Sequence, residues 1–141
     1  MSEETRPEQP RLAEDALAPY WTETEYIGGV RAFRGMPSAV LQLLIEGRFI
    51  ELEGRQNEAP TVAEFAEFGR RYPFVRYHGY ATNPDRLDHR VSIEGLEADA
   101  PELASLSYEE WVSFEGAFWR TFRRADEARC SLERGAWCWY G

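Results

Sequence analysis

Apolar residues recur at helical spacing in three stretches of the chain and alternate with polar ones in several shorter runs. The clearest stripe is Trp111, Phe114, Phe118, Phe122 and Ala125, at steps of 3, 4, 4 and 3. That is the one-sided pattern of an amphipathic helix. Ser107 and Glu110 stand where a capping box closes a helix start. Glu109 and Glu110 at the beginning and Arg120, Arg123 and Arg124 towards the end complement the helix dipole. The spacing predicts a long helix over 108–125 packed on a sheet, with Trp111 and Phe118 in the core. A second stripe, Val62, Phe65, Phe68 and Tyr72, follows a capping box of Thr61 and Glu64 and is stopped by Pro73. Glu67 and Arg71, four apart, suit a surface pair. A third helix is expected from Pro37 through Ala39, Val40, Leu43 and Leu44 to Gly47, by the Pro-start, Gly-stop asymmetry.

Strands are expected between these helices. Thr22 to Ile27 and Val30 to Phe33 flank Gly28-Gly29, the signal of a tight hairpin. Phe49, Ile50 and Leu52 alternate with Glu51 and Glu53, as in a short strand with one wet face. Phe74 to Ala81 and Asp88 to Glu94 read as a second hairpin joined through the turn formers Asn83, Pro84 and Asp85. Arg129 to Glu133 and Ala136 to Tyr140 read as a third, turning at Arg134-Gly135, with continued helix to Arg134 as the alternative. Together these elements predict an α+β fold of about three helices and short antiparallel hairpins.

Length supports one domain: 141 residues can bury a core without disulfides or metals. Residues 1–18 carry five acids, two arginines and two prolines but few large apolar groups. They are expected as a disordered or loosely docked acidic tail, with residues 19–141 forming the single α+β domain. The first twenty residues lack the pattern of a secretory signal, and the longest apolar run, Ala39 to Ile45, is far short of the roughly 20 residues that span a membrane. Two cysteines without metal or redox spacing suit reduced thiols. The expectation is a cytoplasmic chain that binds no membrane, metal or cofactor.

Charge then narrows the partners. The formal net charge is −9, and all 16 basic residues are arginine. Neutralising duplex phosphates needs positive surface, so direct duplex nucleic-acid binding is not expected. The acidic tail supplies −3 of the total, which leaves about −6 on the domain.

No loop of the Walker, Rossmann, calcium-binding or nucleophile-elbow type occurs. If the second hairpin pairs Tyr80 with His89, alternation brings Arg76, His78, Tyr80 and His89 to one face, with Asp85 and Asp88 in or beside the turn. His78 or His89, with Asp88, would then be the catalytic candidates, because imidazole titrates near neutrality. If Leu132 pairs with Trp137, Cys130 lies beside Trp139 and Cys138 on the opposite face, which argues against a disulfide or a shared metal. Trp137, Trp139 and Tyr140, three large aromatics within four residues, must dock on the core or on a partner.

Two accounts follow. The favoured one is a small acidic protein-interaction module, of the inhibitor or immunity-protein kind, steered to a basic partner by its charge and anchored by Arg76, Tyr80, Trp137, Trp139 and Tyr140. The alternative is a small enzyme or ligand-binding protein using the His78, His89, Arg76 and Tyr80 surface. Histidines converging in a pocket support the second; separated histidines beside an open aromatic surface support the first.

Overall fold

The computed structural model describes residues 9–55, 58–87 and 89–141, with side chains from Ala13 onward. Its centre is an antiparallel sheet of five strands, β1 (Val30–Pro37), β2 (Arg76–Thr82), β3 (Val91–Ala98), β4 (Glu127–Ser131) and β5 (Gly135–Trp139), in the order β1-β2-β3-β5-β4. Five helices accompany it among the described residues: α1 (Gln9–Leu17), α2 (Ser38–Glu46), α3 (Val62–Arg71), α4 (Ala100–Ala104) and α5 (Tyr108–Phe122). A single 3-10 turn, Ala18–Tyr20, links α1 to the chain that approaches the sheet. The α+β class is as expected, but the helix count is higher than the predicted three. No helix among the described residues is long and apolar enough to cross a membrane.

Capping explains where the helices start. At α3 the Thr61 hydroxyl accepts from Glu64 N–H at 3.2 Å while the Glu64 carboxylate accepts from Thr61 N–H at 2.8 Å. Ser107 and Glu110 do the same at α5, at 3.1 and 2.9 Å. Each reciprocal pair satisfies two donors that a helix start leaves free. The short α4 follows the same logic with Pro101 in its first turn and Glu102 accepting from Asp99 N–H at 3.4 Å.

The core joins one sheet face to α3 and α5 through aromatic rings. Tyr77 of β2 is fully buried and donates its hydroxyl proton to the Phe65 carbonyl of α3 at 2.6 Å. Phe65 stacks on Phe122 with centroids 5.7 Å apart, and Phe68 meets Phe114 and Phe122 edge-on at 5.7 and 5.0 Å. Such pairs add about 0.5–1.5 kcal/mol each beyond the area they bury. Phe114, Phe118 and Phe122 are wholly buried, as the stripe predicts, but Trp111 is only partly buried at the edge. The helix also stops at Phe122 rather than running to Ala125. Asp126 N–H donates to the Trp139 carbonyl at 2.9 Å, which turns the chain into β4.

Other expectations are corrected. The segment read as a tail includes α1, whose Ala13 and Leu17 are buried in the core; residues 1–8 lie outside the described residues. Gly28 and Gly29 do make a two-residue turn at φ 63° and 86°, with Ile27 and Val30 bonded both ways, but its first arm meets β1 only through isolated bridges. Phe49 to Leu52 form no strand; their carbonyls at Phe49 and Leu52 instead receive Val91 N–H and Ala63 N–H. Glu67 pairs with Arg70 at 2.7 Å, while Arg71 lies over the Tyr72 ring.

Both later hairpins exist, and both are shifted by three residues from the expected register. Tyr80 faces Ser92, three past His89, and Trp137 faces Arg129, three before Leu132. An odd shift reverses which residues share a face. Thus Cys130 and Cys138 lie diagonally on the same face of β4 and β5, opposite Ala136 and Ala128, rather than on opposite faces. Both are free thiols.

Candidate functional site

The sheet face away from the core is built by the registers of β2, β3 and β5. Arg76 lies opposite Glu97, and Glu97 opposite Trp137; His78 lies opposite Gly95, and Tyr80 opposite Ser92. Two irregularities in pairing bring the rest together. In β1, Phe33 and Met36 both reach the core, and the extra residue of the bulge between them leaves Arg34 exposed on the outside. In β3, Glu94 is the extra residue between the pairs Gly79 to Ile93 and His78 to Gly95.

His78 and Trp137 form the centre of this face. Their rings stack at 4.2 Å with planes 17° apart. His78 Nε2 lies 2.8 Å from the Cys138 carbonyl; that oxygen only accepts, so Nε2 carries the proton and Nδ1 holds the lone pair. The imidazole reaches the carbonyl by crossing Gly95. A Cβ there would stand 2.6 Å from Nε2 and would overlap the Cys138 carbonyl itself. Glycine is therefore required by the close approach. Above Trp137 sit the guanidinium of Arg34, 4.9 Å from the ring centroid, and that of Arg129 at 5.9 Å. Arg34 also donates to Glu97 at 2.8 Å, and Trp137 Nε1–H to Glu127 at 3.3 Å.

The electrostatics keep His78 neutral. Burial, reinforced by the charge of Arg34 and opposed by the Cys138 carbonyl, lowers its pKa from 6.5 to about 4. Its Nδ1 is 3.9 Å from Glu97, too far for a hydrogen bond, and is buried without a partner among the described residues. Since the ring is uncharged at neutral pH, that approach is not an ion pair. A neutral, solvent-shielded His78 committed to a carbonyl is a structural platform for Trp137 rather than a general base.

The remaining candidates fall in different places. Arg76 is held at the corner of the face by Glu102 of α4, at 3.1 Å, and by Asp99 at 3.7 Å. Tyr80 and Trp139 are partly exposed on the same face, whereas Tyr140 is buried and belongs to the core. Asp88 lies outside the described residues. His89 does not join His78: its Nδ1 lies 2.8 Å from the carbonyl of Thr82, four residues along β2 from His78 and so roughly 13 Å away. It lines a separate cavity with Arg48, Arg55 and Arg90. Burial also pushes the Cys130 and Cys138 thiols up to about 12, which removes thiolate chemistry. Among the described residues, no three His, Cys, Asp or Glu side chains gather as metal ligands.

Arg34, Glu97, Gly95 and Arg129 were not among the sequence candidates. The bulges that deliver Arg34 and align Gly95 with His78 leave no periodic signal. The fold and this site define an α+β protein with one sheet face built into the core and the other carrying a Trp, His and Arg cluster. No protein-family model, curated protein or solved structure matches the chain.

Proposed function

We propose that the protein is an interaction module that binds a protein partner through the outer sheet face, with Trp137 as the central anchor. The carrying observation is the arrangement around that ring: a partly exposed indole, backed by His78 and overlaid by two arginines. Trp and Arg supply a large share of binding energy at protein interfaces, most of all where a rigid backing orders them before contact. The backing here is a buried imidazole tied to the main chain. A catalytic reading loses its support because the two histidines serve different places.

Charge favours a basic partner. The chain carries −9 with a pI of about 4.8, and long-range attraction of that sign speeds encounter with a positive surface. Glu94, Glu97, Asp99, Glu102 and Glu127 border the same face and would meet its cations, while Arg34 and Arg129 over Trp137 fix orientation. An inhibitor or immunity-type role fits this division between acidic steering and aromatic anchoring. Free, unreactive thiols suit a reducing compartment such as the cytoplasm.

The test is co-purification from the native host with wild-type protein, Trp137→Ala and Arg129→Ala. A basic protein retained in one-to-one ratio by the wild type and lost from both folded variants supports the reading. Equal retention by all three, or no stoichiometric partner, overturns it.

A further inference from the structure

The cavity that His89 lines includes neither His78, Trp137, Arg34 nor Arg129 and has a chemistry of its own. Its volume is about 460 Å³, within the range of small-molecule sites. Three arginines, Arg48, Arg55 and Arg90, line it against one carboxylate, Glu51, so its described charged lining is formally +2 before His89 is counted. That sign runs against the −9 of the whole chain. Arg48 and Arg55 make no ion pair with any described residue, unlike Arg34, Arg70, Arg76 and Arg124. The lining also includes the buried apolar side chains of Ile50, Val62, Val91 and Ile93.

Two details single out the polar rim. His89 commits Nδ1 to the Thr82 carbonyl, which leaves Nε2 buried and without a partner among the described residues. Such an imidazole can meet an anion through Nε2 as an imidazolium donor. Arg48 is also the only non-glycine residue with positive φ among those described, at 63°. It occupies the position after the α2 C-cap, where Arg48 N–H donates to Ile45 and Phe49 N–H to Leu44, both at 3.0 Å. Helices that end this way usually place glycine there. The available glycine, Gly47, is one residue earlier, where a Cβ would stand 2.6 Å from the Phe49 ring. The chain thus keeps a strained arginine at the mouth of the cavity.

We propose that this cavity binds a small organic phosphate monoester, its dianionic head against Arg48 and Arg55 beside His89 Nε2 and its apolar body against Val62, Val91 and Ile93. Planar guanidinium groups pair bidentately with phosphate oxygens, and the two without an ion pair, Arg48 and Arg55, suit a dianion better than they suit a single carboxylate.

Calorimetric titration of the full chain with phenyl phosphate, inorganic phosphate and benzoate tests this. Phenyl phosphate is expected to bind one-to-one, at least tenfold tighter than either other probe. The Arg48→Gly and Arg55→Gln variants should each lose threefold or more in affinity, while Arg48→Gly melts no lower than wild type because glycine suits its backbone. Absence of saturable phenyl phosphate binding at millimolar concentration overturns the site. So does benzoate binding as tightly, or unchanged affinity in both variants.

Discussion

The imidazole of His78 lies flat against the indole of Trp137, 4.2 Å between ring centroids, and is fastened from behind to the carbonyl of Cys138. One residue thus couples the proposed interaction face to the main chain of β5. Its neutral state makes a first expectation. A histidine whose folded pKa is about 4 and unfolded pKa about 6.5 binds fewer protons folded than unfolded between those values. Stability contributed by His78 is therefore complete above pH 6.5 and lost as pH falls towards 4, by up to roughly 3 kcal/mol. Glu94, whose pKa burial raises, acts in the opposite direction. The clean readout is therefore an NMR titration of the His78 ring, expected to inflect near pH 4; an inflection above 6 contradicts it.

Gly95 is expected to be intolerant of any side chain. An added Cβ meets the Cys138 carbonyl, which is backbone and cannot rotate away. Gly95→Ala should cost about 3 kcal/mol or more, read as a fall in the denaturant midpoint. A wild-type midpoint would mean that β3 and β5 can separate without loss.

Trp137→Ala should be milder, about 1–3 kcal/mol, because the ring is only partly buried and a fully buried Trp costs about 3–5. It should also move the His78 inflection upward, since the indole shields that ring from water. An unchanged titration would show that the stack contributes nothing to the burial of His78.

In the core, Phe118→Ala should cost about 3–5 kcal/mol, whereas Trp111→Ala should cost clearly less. Chemical denaturation of the two variants checks the ranking, and equal losses would place Trp111 in the core after all.

The helices were largely legible in the sequence because caps and stripes are local. Thr61 with Glu64 and Ser107 with Glu110 fix their helix starts within one turn. Even α4 carried its own signal in Asp99, Pro101 and Glu102. Strand register was not legible, because both three-residue shifts arise in connections longer than the expected turns, which leave Ala81 opposite Val91 and Ser131 opposite Gly135, and because no alternation announces the bulges at Arg34-Gly35 and Glu94. Of the candidate site, His78, Tyr80, Trp137 and Trp139 do share a face. Tyr140 is drawn inside, and His89 is drawn away by the three-residue difference in pairing. Arg48 was hidden for another reason: a helix stop predicts glycine in the left-handed position, and the ring of Phe49 displaces it.

The proposed interaction face competes with another exposed apolar surface among the described residues, the stripe of Tyr108, Val112 and Trp119 on α5. The most direct measurement is photo-crosslinking in the native host with a photoreactive residue at position 129, on the sheet face, or at position 112, on α5. The account predicts one basic protein crosslinked from position 129 and none from position 112. Crosslinking from position 112 alone, or from neither, would contradict it.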